Sequence, residues 1–153
     1  MGMDVFGKRP RSEAGEYFHK SVWSWKPLAA YCCDVAPEIT QACKYWQSND
    51  GDGLDDKGAI ALANILEREI SSGRTALYEK AQEAIAKVPC NICAGTGIRL
   101  QLVGAISNNG GSRCNGCQGE GYVTPTHTHY PFSAENVKAF VTFLRECGGF
   151  EIW

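Results

Sequence analysis

Apolar residues recur every three or four positions through the middle of the chain. Ile60, Ala63, Leu66 and Ile70, with Leu62 and Ile65 beside them, make the stripe of an amphipathic helix. Asp55 stands at its N-cap, Asp56 lies where the positive helix end favours an anion, and Gly73 stops it. A second helix is predicted over residues 75–87. Its apolar face is Leu77, Ala81, Ala84, Ile85 and Val88, with Glu79, Lys80, Glu83 and Lys87 in water. The link between the two is short, so they read as an antiparallel helical hairpin. A last helix, capped by Ser133, carries Val137, Phe140, Val141 and Leu144 on one face. Gly148 and Gly149 end it, and Phe150–Trp153 reads as a short strand or a docking tail that packs down.

Pro27 suits a first helical turn, which predicts a short helix from Pro27 to Val35. Pro37 restarts another through Ile39, Ala42, Cys43 and Trp46. Residues 1–15, broken by Gly2, Gly7, Pro10 and Gly15, read as a flexible N-terminus, with Lys8, Arg9 and Arg11 on a solvated tail. Further on, Ile98, Leu100 and Leu102 alternate as in a strand, Asn108–Gly111 signals a turn, and Tyr122–Thr124 reads as the returning strand. The expected fold is mostly α (α+β). A helical domain over 16–88 and 124–153 carries an inserted β-hairpin lobe at 89–123.

That lobe holds the clearest chemistry. Cys90-Asn91-Ile92-Cys93-Ala94-Gly95-Thr96-Gly97 and Cys114-Asn115-Gly116-Cys117-Gln118-Gly119-Glu120-Gly121 both read C-x-x-C-x-G-x-G. Two cysteines three apart put both sulfurs on one side of a tight turn. Two such turns supply four thiolates at tetrahedral corners, the closed arrangement of structural zinc, one ion per chain. Gly95, Gly97, Gly119 and Gly121 let the backbone curl so that its N–H groups point at the sulfurs, a curl that needs positive φ. Two disulfides and a redox-active C-x-x-C are the competing readings; a redox pair usually opens a helix, whereas glycines follow each pair here.

The repeats resemble the zinc-binding cysteine-rich region of DnaJ-type chaperones, over about residues 89–123. In that family four repeats pair to hold two zincs, and the region helps to bind non-native polypeptide. Two repeats imply a single zinc. The His-Pro-Asp of the J domain is missing, since His19, His127 and His129 are the three histidines and none precedes Pro-Asp.

Composition narrows the setting. At 153 residues and 44% apolar, the chain can bury a core, and no apolar run reaches membrane-span length. Met1–Ser12 has basic residues without an apolar segment behind them, so it does not read as a signal peptide. Eight cysteines without such a leader point to a reducing cytoplasm, with Cys32, Cys33, Cys43 and Cys147 as buried free thiols. A net charge of −2 disfavours a nucleic-acid partner, and a membrane partner is not expected.

Two other stretches are candidates for a ligand or partner surface. Glu16–Leu28 is dense in aromatics, among them Tyr17, Trp23 and Trp25, which fit either a core or an interface for protein or peptide. Ser48–Asp56 alternates acids and glycines like a calcium loop, but with Ser48 in first position Ala59 falls where an EF-hand needs its closing Glu. It therefore reads as a helix-capping loop, with Asn49, Asp50 and Asp52 as possible ligand groups. His127 and His129 could share one side of an extended segment as a further metal site, or belong to a polar linker.

The order E-Y-F-x-x-x-V-W-x-W-x-P-L, S-N-D-G-D-G-L, the paired knuckles, Y-P-F-S-x-E-N-V and C-G-G-F-E-I resembles a family of small bacterial and phage proteins, a resemblance that implies no known activity. With no H-E-x-x-H, phosphate-binding glycine loop or G-x-S-x-G in the sequence, no catalytic residues are assigned. The leading expectation is a non-enzymatic, zinc-stabilised interaction protein. The alternatives are a chaperone-like binder of non-native polypeptide and an enzyme using the Asp50/Asp52 loop.

Overall fold

The computed structural model describes residues 2–99, 111–125 and 130–153. In chain order its strands are β1 (Gly2–Gly7), β2 (Tyr17–Ser21), β3 (Asp52–Leu54), β4 (Val88–Pro89), β5 (Ile98–Arg99), β6 (Ser112–Arg113), β7 (Tyr122–Val123) and β8 (Phe150–Ile152). Its helices are α1 (Val22–Val35), α2 (Pro37–Thr40), α3 (Asp56–Ser71), α4 (Arg74–Glu83) and α5 (Ala134–Glu146). The chain divides into two units, Met1–Glu83 with Tyr130–Trp153, and Ala84–His129.

The first unit is built on a four-stranded antiparallel sheet in the order β2-β1-β8-β3. Side chains alternate across it. Met3, Val5, Phe18, Leu54, Phe150 and Ile152 point inward and are buried. Helices α1, α3 and α5 supply the opposing layer. Helix α1 buries Trp25, Leu28, Ala29 and Cys32; α3 buries Ala59, Leu62, Ala63 and Leu66, each set at helical spacing. Rings fill the centre: Phe140 meets Trp25 edge-on at 5.7 Å and Phe150 at 6.0 Å. The polar ends of the two core indoles are satisfied. Trp25 Nε1 donates to the Trp46 carbonyl at 2.6 Å, and Trp46 Nε1 donates to the Thr40 carbonyl at 3.0 Å.

The fold is α+β, as expected, but with a four-stranded sheet that the mostly α reading did not include. The N-terminus is the largest correction. Far from an irregular, flexible tail, β1 is an inner strand paired on both sides. Met3 and Val5 alternate with Asp4 and Phe6, a strand pattern that the flanking glycines hide. The basic segment after it is also tied down. The backbone N–H groups of Lys8, Arg9 and Arg11 donate to Gly149, Cys147 and Glu146, and the Arg11 guanidinium grips both Asp56 oxygens at 2.9 and 2.7 Å.

Helix α1 starts five residues before the expected Pro27, because Ser21 caps it by accepting the Ser24 N–H at 3.3 Å. Pro27 lies inside the helix. Helix α3 begins as expected, with Asp55 accepting the Gly58 N–H at 2.7 Å, and Gly73 follows it at φ 80°. Helix α4 presents the opposite face from the one expected. Leu77 is 65% exposed, while Thr75 is buried against Tyr31, with their hydroxyls 2.9 Å apart. Glu79, expected in water, accepts the Ala134 N–H at 3.0 Å and so caps α5 in place of Ser133, whose side chain makes no capping bond. The same face of α4 carries Tyr78, whose ring packs on Tyr31 and Phe132 at 4.8 and 4.7 Å.

The central position of Trp25 yields a stability prediction. Trp25→Ala should destabilise the chain by about 3–5 kcal/mol through lost burial and a residual cavity. A urea unfolding midpoint close to that of the unaltered protein would contradict this assignment.

Candidate metal centre

Among its described residues, the second unit shows almost no hydrocarbon interior. Its buried cluster is Cys90, Cys93, Cys114 and Cys117, with Val123 packed against it among the described residues. The two knuckles repeat each other bond for bond. Gly95 N–H donates to the Cys90 carbonyl at 3.3 Å, and Gly119 N–H to the Cys114 carbonyl at 3.0 Å. Gly97 N–H reaches Cys93 Sγ at 3.2 Å, and Gly121 N–H reaches Cys117 Sγ at 3.1 Å. Each knuckle also holds the other. Cys90 N–H donates to the Gly121 carbonyl at 2.8 Å, and Cys114 N–H to the Gly97 carbonyl at 2.9 Å.

This exchange explains the strand pairing. Strand β4 pairs with β7 and β5 with β6, so each knuckle's incoming strand meets the other's outgoing one. The single hairpin expected from residues 98–102 and 122–124 is thus replaced by two short ladders. The expected continuation through Leu100 and Leu102, and the Asn108–Gly110 part of the turn, lie outside the described residues.

Two of the glycines are fixed by close approach. A Cβ on Gly97, at φ 75°, would stand 2.4 Å from the Gly119 carbonyl oxygen; one on Gly121, at φ 81°, would stand 2.3 Å from that of Gly95. The residues just after each second cysteine, Ala94 and Gln118, also have positive φ, at 51° and 53°. Nothing in their side chains announces this; only their equivalent place in the repeat does.

The four sulfurs lie within 4.8 Å of one another. Cys90 Sγ is 3.9 Å from Cys114 Sγ, and Cys93 Sγ is 3.7 Å from Cys117 Sγ. Four sulfurs about 2.3 Å from a central ion at tetrahedral corners would be about 3.8 Å apart. All eight cysteines are free thiols in this structure. The group can hold a metal ion, and its donor set and spacing are consistent with zinc. Burial alone would push the Cys93 thiol up, but the Gly97 N–H and the neighbouring thiols outweigh it and bring it down to about 6.

The other sequence candidates do not gather at this centre. Trp25 is fully buried, which corrects its place among the surface candidates; Trp23 and Tyr17 are exposed. Asp52 is a scaffold for its own loop. Burial opposes its charge, but the N–H groups of Lys44, Gly53 and Tyr45 hold it below the usual carboxylate range. Asp50 accepts a hydrogen bond from the Ser48 hydroxyl, and Asn49 reaches the Gly2 carbonyl at 3.4 Å. The loop that Asp52 ties forms one wall of an open groove of about 530 Å³ lined by Cys33, Pro37, Cys43 and Tyr45 among others. Burial pushes the Cys43 thiol there up to about 12, so it stays protonated at neutral pH. His127 and His129 lie outside the described residues.

Comparison with protein-family models, with curated proteins and with solved structures finds no match to this chain.

Two predictions test the centre. Gly97→Ala should displace the N–H that reaches Cys93 and weaken the affinity for added Zn²⁺ by about 10–100-fold; competition with a chromophoric chelator measures it, and an unchanged affinity would refute the close-approach argument. The depressed Cys93 thiol sets a pH window. Its contribution is complete above the ordinary value of 9.0 and is lost as pH falls through about 6. Because the ligands must be deprotonated, the affinity for added Zn²⁺ should be lower at pH 5.5 than at pH 7.5, as competition with a chromophoric chelator at the two pH values would record.

Proposed function

We propose that this chain is a zinc-stabilised interaction protein of bacterial or phage type, in which the metal has a structural and not a catalytic role. The single observation behind this reading is the closed set of four buried thiols. Four sulfurs complete a tetrahedron and leave no position for substrate. Among the described residues the unit around them shows no apolar core beyond the cysteines and Val123, which supports a metal that supplies its stability. One zinc per chain and a reducing, cytoplasmic setting follow from this reading, with protein or peptide as the partner.

A specific observation favours a second reading, a binder of non-native polypeptide. Val88, Ile92, Ile98 and Tyr122 on the small unit are each between 42% and 50% exposed. Exposed apolar side chains at that density fit capture of apolar segments.

Native mass spectrometry of protein purified without chelator should show one zinc per chain. Removing it should collapse the amide NMR dispersion of residues 84–99 and 111–125 while β1, β2 and β8 keep theirs. A metal-free protein with that dispersion intact would refute the structural role. For the second reading, a molar excess of zinc-loaded protein should slow aggregation of a denatured client; no slowing would eliminate it.

A further inference from the structure

The sheet of the first unit has two faces, and only the inner one is covered by α1, α3 and α5. Strand register defines the other. Tyr17 lies opposite Phe6, which lies opposite Glu151. One row further, His19 lies opposite Asp4, whose backbone pairs with Trp153 through bonds of 3.1 and 2.7 Å. The rings of this face are open to solvent, Phe6 at 45%, Tyr17 at 49% and Trp153 at 53%. Phe6 and Tyr17 stand 5.1 Å apart between centroids, and Tyr17 and His19 stack at 6.1 Å. The Trp153 indole lies over Gly51, where a Cβ would come within 2.7 Å of the ring. Glycine there lets the indole lie down on the sheet.

A carboxylate sits among these rings. Asp4 Oδ1 accepts both the Tyr17 hydroxyl and His19 Nδ1, the latter at 2.9 Å. Asp4 Oδ2 accepts no bond among the described residues. The Tyr17 hydrogen bond and then the His19 bond hold this carboxyl below its usual range, so it remains an anion. Glu151 adds a second carboxylate, shared with Lys8 at 3.8 Å and with the Trp153 indole N–H at 3.3 Å. Stacked rings around an oriented anion suit a cation, since ring faces attract guanidinium and ammonium groups and a carboxylate oxygen completes the pair. The same two carboxylates repel phosphates, which disfavours single-stranded nucleic acid as the occupant. Strand β2 lies at the edge of the sheet, so its outer backbone groups have no strand partner among the described residues.

We propose that this face docks an extended, arginine-bearing peptide segment, which adds along β2 and places a guanidinium on Asp4 Oδ2 between Tyr17, His19 and Phe6. In an added strand alternate side chains share one face, so the backbone gives register and the arginine gives selectivity. The inference rests on the interaction reading and names the surface and chemistry of the partner.

The test uses the full zinc-loaded chain, ¹⁵N-labelled. It is titrated with a capped pentapeptide alternating valine and arginine, with a valine–glutamate peptide and oligouridine as controls. Shifts confined to residues 4–6, 17–21 and the Trp153 indole, with the arginine peptide alone, are the expected result. Asp4→Asn should weaken that binding by about tenfold through loss of the charge-assisted bond, and Phe6→Thr should weaken it while keeping a strand-forming residue. Preserved spectral dispersion in each variant shows that folding is not at issue. Three results would overturn the proposal: no shifts at millimolar peptide, equal shifts with the glutamate peptide, or shifts with oligouridine in their place. If a natural partner were captured and Asp4→Asn left its affinity unchanged, this surface would fall and the interaction reading would stand.

Discussion

Everything in the larger unit depends on a ladder between the two ends of the chain. Val5 faces Ile152 and Gly7 faces Phe150 in the middle of the sheet. Both Val5 and Ile152 are fully buried, so the pairing is also the floor of the core. Strand β3 reaches the sheet only through β8, and β2 only through β1. The β1–β2 hairpin offers Met3, Val5 and Phe18 by itself, but the four-stranded sheet is complete only when β8 joins that hairpin to β3. Contacts of such long sequence separation are costly in loop entropy before they stabilise anything.

The knuckle unit answers a different constraint. Its ladders span two residues each, too little for independent stability in water. Among the described residues, four sulfurs stand where a larger domain would place leucines. The backbone is spent on orienting those sulfurs and on joining the two knuckles to each other. This economy explains why the spacing of cysteines and glycines is repeated while the remaining side chains of the two turns differ.

That difference also explains what could be read beforehand. A metal site is a local pattern of ligand types and turn residues, so the four cysteines and four glycines were legible, as was α3 with its Asp55 cap and Gly73 stop. Long-range pairing writes little into a short segment. Strand β1 has only Met3 and Val5 to declare it between two glycines, and its partners are at the other end of the chain or beyond a turn. Helix α1 was misplaced because Pro27 is an obvious start signal while Ser21 is a quiet one. In α4, Leu77 and Ala81 look like a core face, whereas Thr75 and Tyr78 meet Tyr31 and Phe132, long-range contacts with no signature in the α4 segment itself.

The aromatic stretch shows how one run of residues can serve two ends. In β2 the two-residue period sends Phe18 into the core and leaves Tyr17 and His19 outside. In α1 the helical period buries Trp25 and leaves Trp23 exposed against Tyr130, 4.6 Å between centroids. Composition alone could not separate these roles, because the same ring chemistry is needed for both. The backbone period separates them. Once it does, the outer rings carry no share of the core. They stand beside Asp4 and Glu151, and the larger unit holds together by burial whatever happens on that face.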